Sequence, residues 1–100
     1  MTIPVTVLPK AKLAIAWSMD YYEKLRPGYG GLFLIEIERT FDIIAHWPEA
    51  YELVTSRLRR APVRRFNDLV VYRPLQSGVR ILNVVAARRD PAITRSLDLP

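Results

Sequence analysis

The sequence predicts an α+β domain in which a helical hairpin packs on a small, mainly antiparallel sheet in the order β-αα-βββ. Three observations predict it. A β-branched alternating run opens the chain, two stretches of helical period follow with Pro-Gly between them, and three short strand-like runs fill the second half. With 100 residues, half of them apolar and a quarter charged, a single domain spanning residues 1–100 with its own core is expected.

Thr2 to Leu8 alternates, so that Ile3, Val5 and Val7 share one face of a first strand, which Pro9 ends. From Lys10 to Arg26 the spacing becomes helical. Leu13, Trp17, Tyr21 and Leu25 recur every four residues beside Ala16 and are expected to form the buried stripe, while Asp20 can pair with Lys24. Pro27-Gly28 stops that helix. After Gly30-Gly31 a second apolar stripe runs through Phe33, Ile37, Phe41 and Ile44, with Glu36, Glu38, Arg39 and Asp42 on the wet side, until Trp47-Pro48.

The second half predicts strands over Val63 to Phe66, Leu69 to Arg73 and Val79 to Ala86. A Pro74-to-Gly78 turn joins the last two into an antiparallel meander. In the last strand, alternation places Arg80 with Leu82 and Val84 rather than with Ile81, and it separates Arg64 from Arg65 to opposite faces. Asp90-Pro91 is an N-cap followed by a first-turn proline, so Ala92 to Leu97 is expected to form a short closing helix.

Charge is divided unevenly. The net charge is +5, yet residues 1–53 hold five basic and seven acidic side chains, whereas residues 54–100 hold ten Arg and three Asp. Every cation of the second half is an arginine, the planar donor fork that suits phosphates and carboxylates. Five of them, Arg57, Arg59, Arg60, Arg64 and Arg65, fall within nine residues and are expected to form one basic lip. An acidic protein partner and a phosphate backbone fit that lip equally well.

Composition also excludes chemistry. There is no cysteine and a single histidine, which removes thiolate metal sites, Fe–S clusters and cysteine nucleophiles and argues against a Ser-His-Asp triad. His46, at a helix end, is read as structural, and neither metal nor cofactor is expected. No apolar run reaches the roughly 20 residues that span a bilayer, and the N-terminus lacks the layout of a secretion signal, so a soluble cytoplasmic protein with no membrane partner is expected.

The run Leu58-Arg59-Arg60-Ala61-Pro62-Val63-Arg64-Arg65-Phe66, followed by Val70-Val71-Tyr72-Arg73, Val79 to Val84 and Arg88-Arg89-Asp90-Pro91, resembles the C-terminal pattern of the RelE/ParE toxin superfamily. Ala11, the Tyr21-Tyr22 pair, the Pro-Gly break, Phe33 and Pro48 match ParE-type members at similar spacing. The resemblance implies the toxin of a bacterial type II toxin–antitoxin pair, bound by a ParD-like antitoxin with a ribbon-helix-helix DNA-binding end.

RelE-like members resemble ribosome-dependent mRNA endoribonucleases, whose chemistry needs a general base and acid near the scissile phosphate. Here the second half has no Lys and no His, and Ala86 stands where this family often carries His. Arginine stays protonated and is no general base, and Tyr72 is read as a core or rim hydroxyl. The chain therefore fits the ParE-like branch, which resembles non-enzymatic poisons of DNA gyrase; Asn67, where a Pro commonly follows the Phe, departs from the family pattern without changing the branch. Target binding is expected at Arg57, Arg59, Arg60, Arg88 and Asp90, and antitoxin binding at Arg64, Arg65, Arg73 and Arg80.

Overall fold

The computed structural model describes residues 3–86. Arg88, Asp90 and the expected helix over residues 92–97 lie outside them. The elements are β1 (Val5–Val7), α1 (Pro9–Leu25), α2 (Tyr29–His46), β2 (Arg59–Pro62), β3 (Asp68–Leu75) and β4 (Gly78–Ala86). They form the predicted α+β arrangement. The sheet order is β1-β4-β3-β2, with β1 parallel to β4 and the other pairs antiparallel.

Pro9 both ends β1 and occupies the first turn of α1, where its missing N–H removes nothing. The sharp reversal to α2 rests on two glycines and one carboxylate. Gly28 takes φ 92° as the N-cap, a conformation that favours glycine. The Glu23 carboxylate accepts from the backbone N–H of Gly28 and of Gly30 at 3.0 Å, which places an anion on the positive end of α2.

The face that α1 buries differs from the expected one. Leu13, Trp17 and Leu25 are 67%, 74% and 61% exposed, whereas Ala11, Ser18 and Tyr22 are buried. Two stripes compete on this helix, and a buried polar hook selects between them. Ser18 and Tyr22 both donate hydroxyl hydrogen bonds to the Asp68 carboxylate at the start of β3. Small Ala11 and Ser18 then let the helix sit close to the sheet, and the larger stripe turns outward. The Lys24–Asp20 pair forms as predicted, at 2.9 Å.

On α2, Phe33, Ile37 and Ile44 are buried and Phe41 packs against the core. Glu36, expected on the wet side, is instead buried at 3% exposure. A second correction concerns β2, which lies four residues before the predicted strand. Val63 to Asn67 form the turn into β3, closed by Val63 N–H on the Asp68 carbonyl and Phe66 N–H on the Val63 carbonyl, with Arg65 at φ 71°. Phe66 looks like a strand residue because it is apolar. It serves an aromatic cluster with Tyr22 and Phe33, at ring separations of 4.6 and 5.2 Å.

The β3–β4 hairpin turns on Gln76 and Ser77 alone, tighter than the five-residue turn predicted, because Pro74 and Leu75 still pair with Val79 and Gly78. Val71 pairs with Asn83 and Tyr72 with Ile81, so Leu82 is an extra residue that resets the alternation. Ile81 and Val84 are therefore both buried, and Arg80 does not share a face with Val84.

Candidate functional site: the arginine-rich edge

Alternation on β3 puts Asp68, Val70 and Tyr72 under the helices and turns Arg73 to the open face, where it stands directly opposite Arg80 on β4. Two like charges in register repel, and no ion pair relieves either of them among the described residues. Arg57 reaches the same region from the loop before β2. Arg57, Arg59 and Arg73 line one open cavity of about 420 Å³, together with Ser56, Leu53 and a single carboxylate, Glu49.

The lip expected from sequence divides on inspection. Arg59 Nη1 donates to the carbonyls of Glu49 and Tyr51 at 3.1 and 2.6 Å, which ties the loop down and fixes the guanidinium at the cavity wall. Arg60 pairs with Glu52 and its side chain is 12% exposed. Arg57 is exposed and carries no ion pair among the described residues. Arg64 and Arg65 sit in the β2–β3 turn, both exposed, rather than on opposite sheet faces; Arg65 Nε lies 3.7 Å from Glu36. The structure thus gathers Arg57, Arg59 and Arg73 around one cavity, with Arg80 opposite Arg73 on the open face of the sheet and Arg64 and Arg65 at the turn beyond β2.

Two further groups are structural. The Tyr72 hydroxyl donates to the Pro48 carbonyl at 2.7 Å, and burial pushes its pKa up to about 12, with nearby Arg59 opposing. His46 Nδ1–H donates to the Asp42 carbonyl at 2.8 Å, closing the end of α2. Among the described residues no three metal-ligating side chains gather, and no helix is long and apolar enough to cross a membrane.

Sequence reading missed the apolar counterpart of this edge. Leu13, Trp17 and Leu25 form an exposed strip on α1, and Leu32, Ile35 and Ile43 are 41–46% exposed on α2. The four-residue period revealed the strip but not the side it faces.

These features define a class: a two-helix hairpin on a mixed four-stranded sheet, with an apolar outer helix surface and a cationic sheet edge. The chain is similar in fold to a chain of the chromosomal ParDE TA system from P. aeruginosa. The TM-score is 0.68 at 15% identity, covering 85% of this chain and 96% of that one. No family model and no curated protein matches the sequence.

Proposed function

We propose that the chain is the toxin of a ParE-like type II toxin–antitoxin pair, acting on DNA gyrase in the bacterial cytoplasm and neutralised by a ParD-like antitoxin. The observation that carries this reading is the fold shared over 85% of its length with a chain of a ParDE TA system. The exposed strip and the cationic edge support it, because a tail of mixed apolar and acidic character would cover both. Apolar anchors on Leu13, Trp17 and Leu25 supply most of the affinity, while carboxylates meeting Arg64, Arg65, Arg73 and Arg80 set register and encounter rate.

For the target, Arg57 is the best placed of the proposed contacts, with Arg88 and Asp90 completing the set from the C-terminal segment. Arg59 and Arg60 act by shaping the cavity, since their donors are engaged in the fold. A ribonuclease would need a proton shuttle at this edge. The Tyr72 phenol is buried, bonded to Pro48 and pushed up to about 12, which disfavours that role and supports gyrase over mRNA.

Purified protein is expected to trap gyrase–DNA cleavage complexes and to leave mRNA on programmed ribosomes intact. Codon-specific mRNA cuts without trapped gyrase would overturn the assignment.

A further inference from the structure

The cavity of about 420 Å³ beside the start of β2 has walls that the fold itself ties down. On one side, Thr55 Oγ1 accepts from the backbone N–H of Arg57 and of Leu58 at 3.2 and 3.0 Å. Val54 N–H donates to the Leu58 carbonyl at 2.7 Å, which closes a tight turn presenting Ser56 and Arg57. An antiparallel bridge from Leu53 to Arg59 joins this turn to β2. On the other side, Arg73 and Pro74 belong to the β3–β4 ladder. Walls fixed before a ligand arrives lose little freedom when it binds.

Three arginines and one carboxylate, Glu49, line the space, so positive charge is in excess and a metal cation is repelled. Arg59 spends Nη1 on the Glu49 and Tyr51 carbonyls and keeps its charge at the wall. Arg57 and Arg73 make no side-chain hydrogen bond or ion pair among the described residues, and Arg80 stands opposite Arg73. Planar guanidinium forks match the oxygens of a phosphate dianion. The volume lies in the range of small-molecule sites, about 300–1,000 Å³, and is too confined for a duplex. A bare phosphate would leave the rest of the lining idle. Leu53, 54% exposed, and Pro74 offer apolar surface, while Glu49 can accept from a hydroxyl. A phosphate ester with a hydroxylated body and a flat apolar end uses every wall.

We propose that this cavity binds a nucleoside 5′-monophosphate. The phosphate dianion sits between Arg57 and Arg73 beside the fixed charge of Arg59, a sugar hydroxyl donates to the Glu49 carboxylate, and the base lies on Leu53 and Pro74. The ligand is a small molecule, and its binding depends on neither gyrase nor an antitoxin. A chain that fails to trap gyrase can still have this site, and a gyrase poison can lack it, so the two readings fail separately.

The probe is AMP, titrated into the full ¹⁵N-labelled chain at fixed ionic strength. Saturable amide shifts are expected at Leu53, Ser56, Arg57 and Arg73. Adenosine should give none, and inorganic phosphate should bind at the same residues about tenfold more weakly. Arg57→Gln and Arg73→Gln each remove one charged donor and weaken AMP about tenfold. Arg26→Gln makes the same charge change at an exposed position before α2, whereas the cavity lies beyond its other end. Its affinity should stay unchanged, which separates a site from general attraction to a basic chain. If Arg73→Gln does not fold, the contrast of Arg57→Gln with Arg26→Gln decides, since Arg57 is exposed. Equal affinity of those two, adenosine binding as tightly as AMP, or inorganic phosphate doing so would each overturn the proposal.

Discussion

Tyr72 and Asp68 lie four residues apart on the same face of β3 and fasten it to different parts of the chain, Asp68 to α1 and Tyr72 to the segment after α2. Neither role is visible in the sequence, where Tyr72 reads as a core or rim hydroxyl and Asp68 falls between two expected strands. Tyr72 has a consequence for pH. Its folded-state value of about 12 stands above the ordinary 10.0, so the folded chain holds the phenolic proton more tightly than the unfolded chain. That contribution is complete below pH 10 and is lost as pH rises toward 12. Tyr72→Phe is expected to cost about 1 kcal/mol at neutral pH through the lost hydrogen bond, and to flatten the alkaline fall in stability. Urea midpoints measured at several pH values check this. Parallel curves for the parent and the variant would show that another group governs the alkaline transition.

At the scale of elements, the hairpin depends on how closely α1 and α2 approach at their junction. A Cβ on Gly30 would stand 2.8 Å from the Met19 carbonyl oxygen, while one on neighbouring Gly31 would meet nothing within 4 Å. Gly30→Ala is therefore expected to cost about 1–3 kcal/mol by forcing the helices apart. Gly31→Ala should stabilise by up to about 1 kcal/mol through helix propensity. Thermal melts of the two variants shifting the same way would count against the close-approach account. The same scale shows what the sequence carried. Within residues 3–86, element number, order, the α2 core stripe and the β3–β4 hairpin were legible, since each depends on local period and turn chemistry. The buried side of α1, the burial of Glu36 and the start of β2 were not. Each is decided by a partner distant in sequence: Asp68 for Ser18 and Tyr22, Arg65 for Glu36, and Tyr22 and Phe33 for Phe66. The candidate site was half legible. Arginine spacing located the edge, but it could not reveal that Arg59 and Arg60 are engaged by the loop carbonyls and Glu52 while Arg57 and Arg73 share a cavity.

For the molecule as a whole, the outward apolar strip lies on the helix layer and the cationic row on the opposite face of the sheet. Arg73 and Arg80 stand in register without a carboxylate between them, a pairing that works against the fold and that a stability-driven sequence would not keep. If antitoxin binding is what retains it, relieving the repulsion should raise stability and weaken neutralisation together. Arg80→Glu turns the repulsive pair into an attractive one and is expected to stabilise by about 0.5 kcal/mol. The gain should shrink in high salt, because both side chains are solvent-accessible. Growth inhibition on expression should persist, while rescue by the cognate antitoxin should weaken. Denaturant midpoints at low and high salt, read beside growth curves, separate the possibilities. A variant that is more stable, salt-sensitive and still fully rescued would mean that the row does not meet the antitoxin, and lost toxicity would assign it to the target instead.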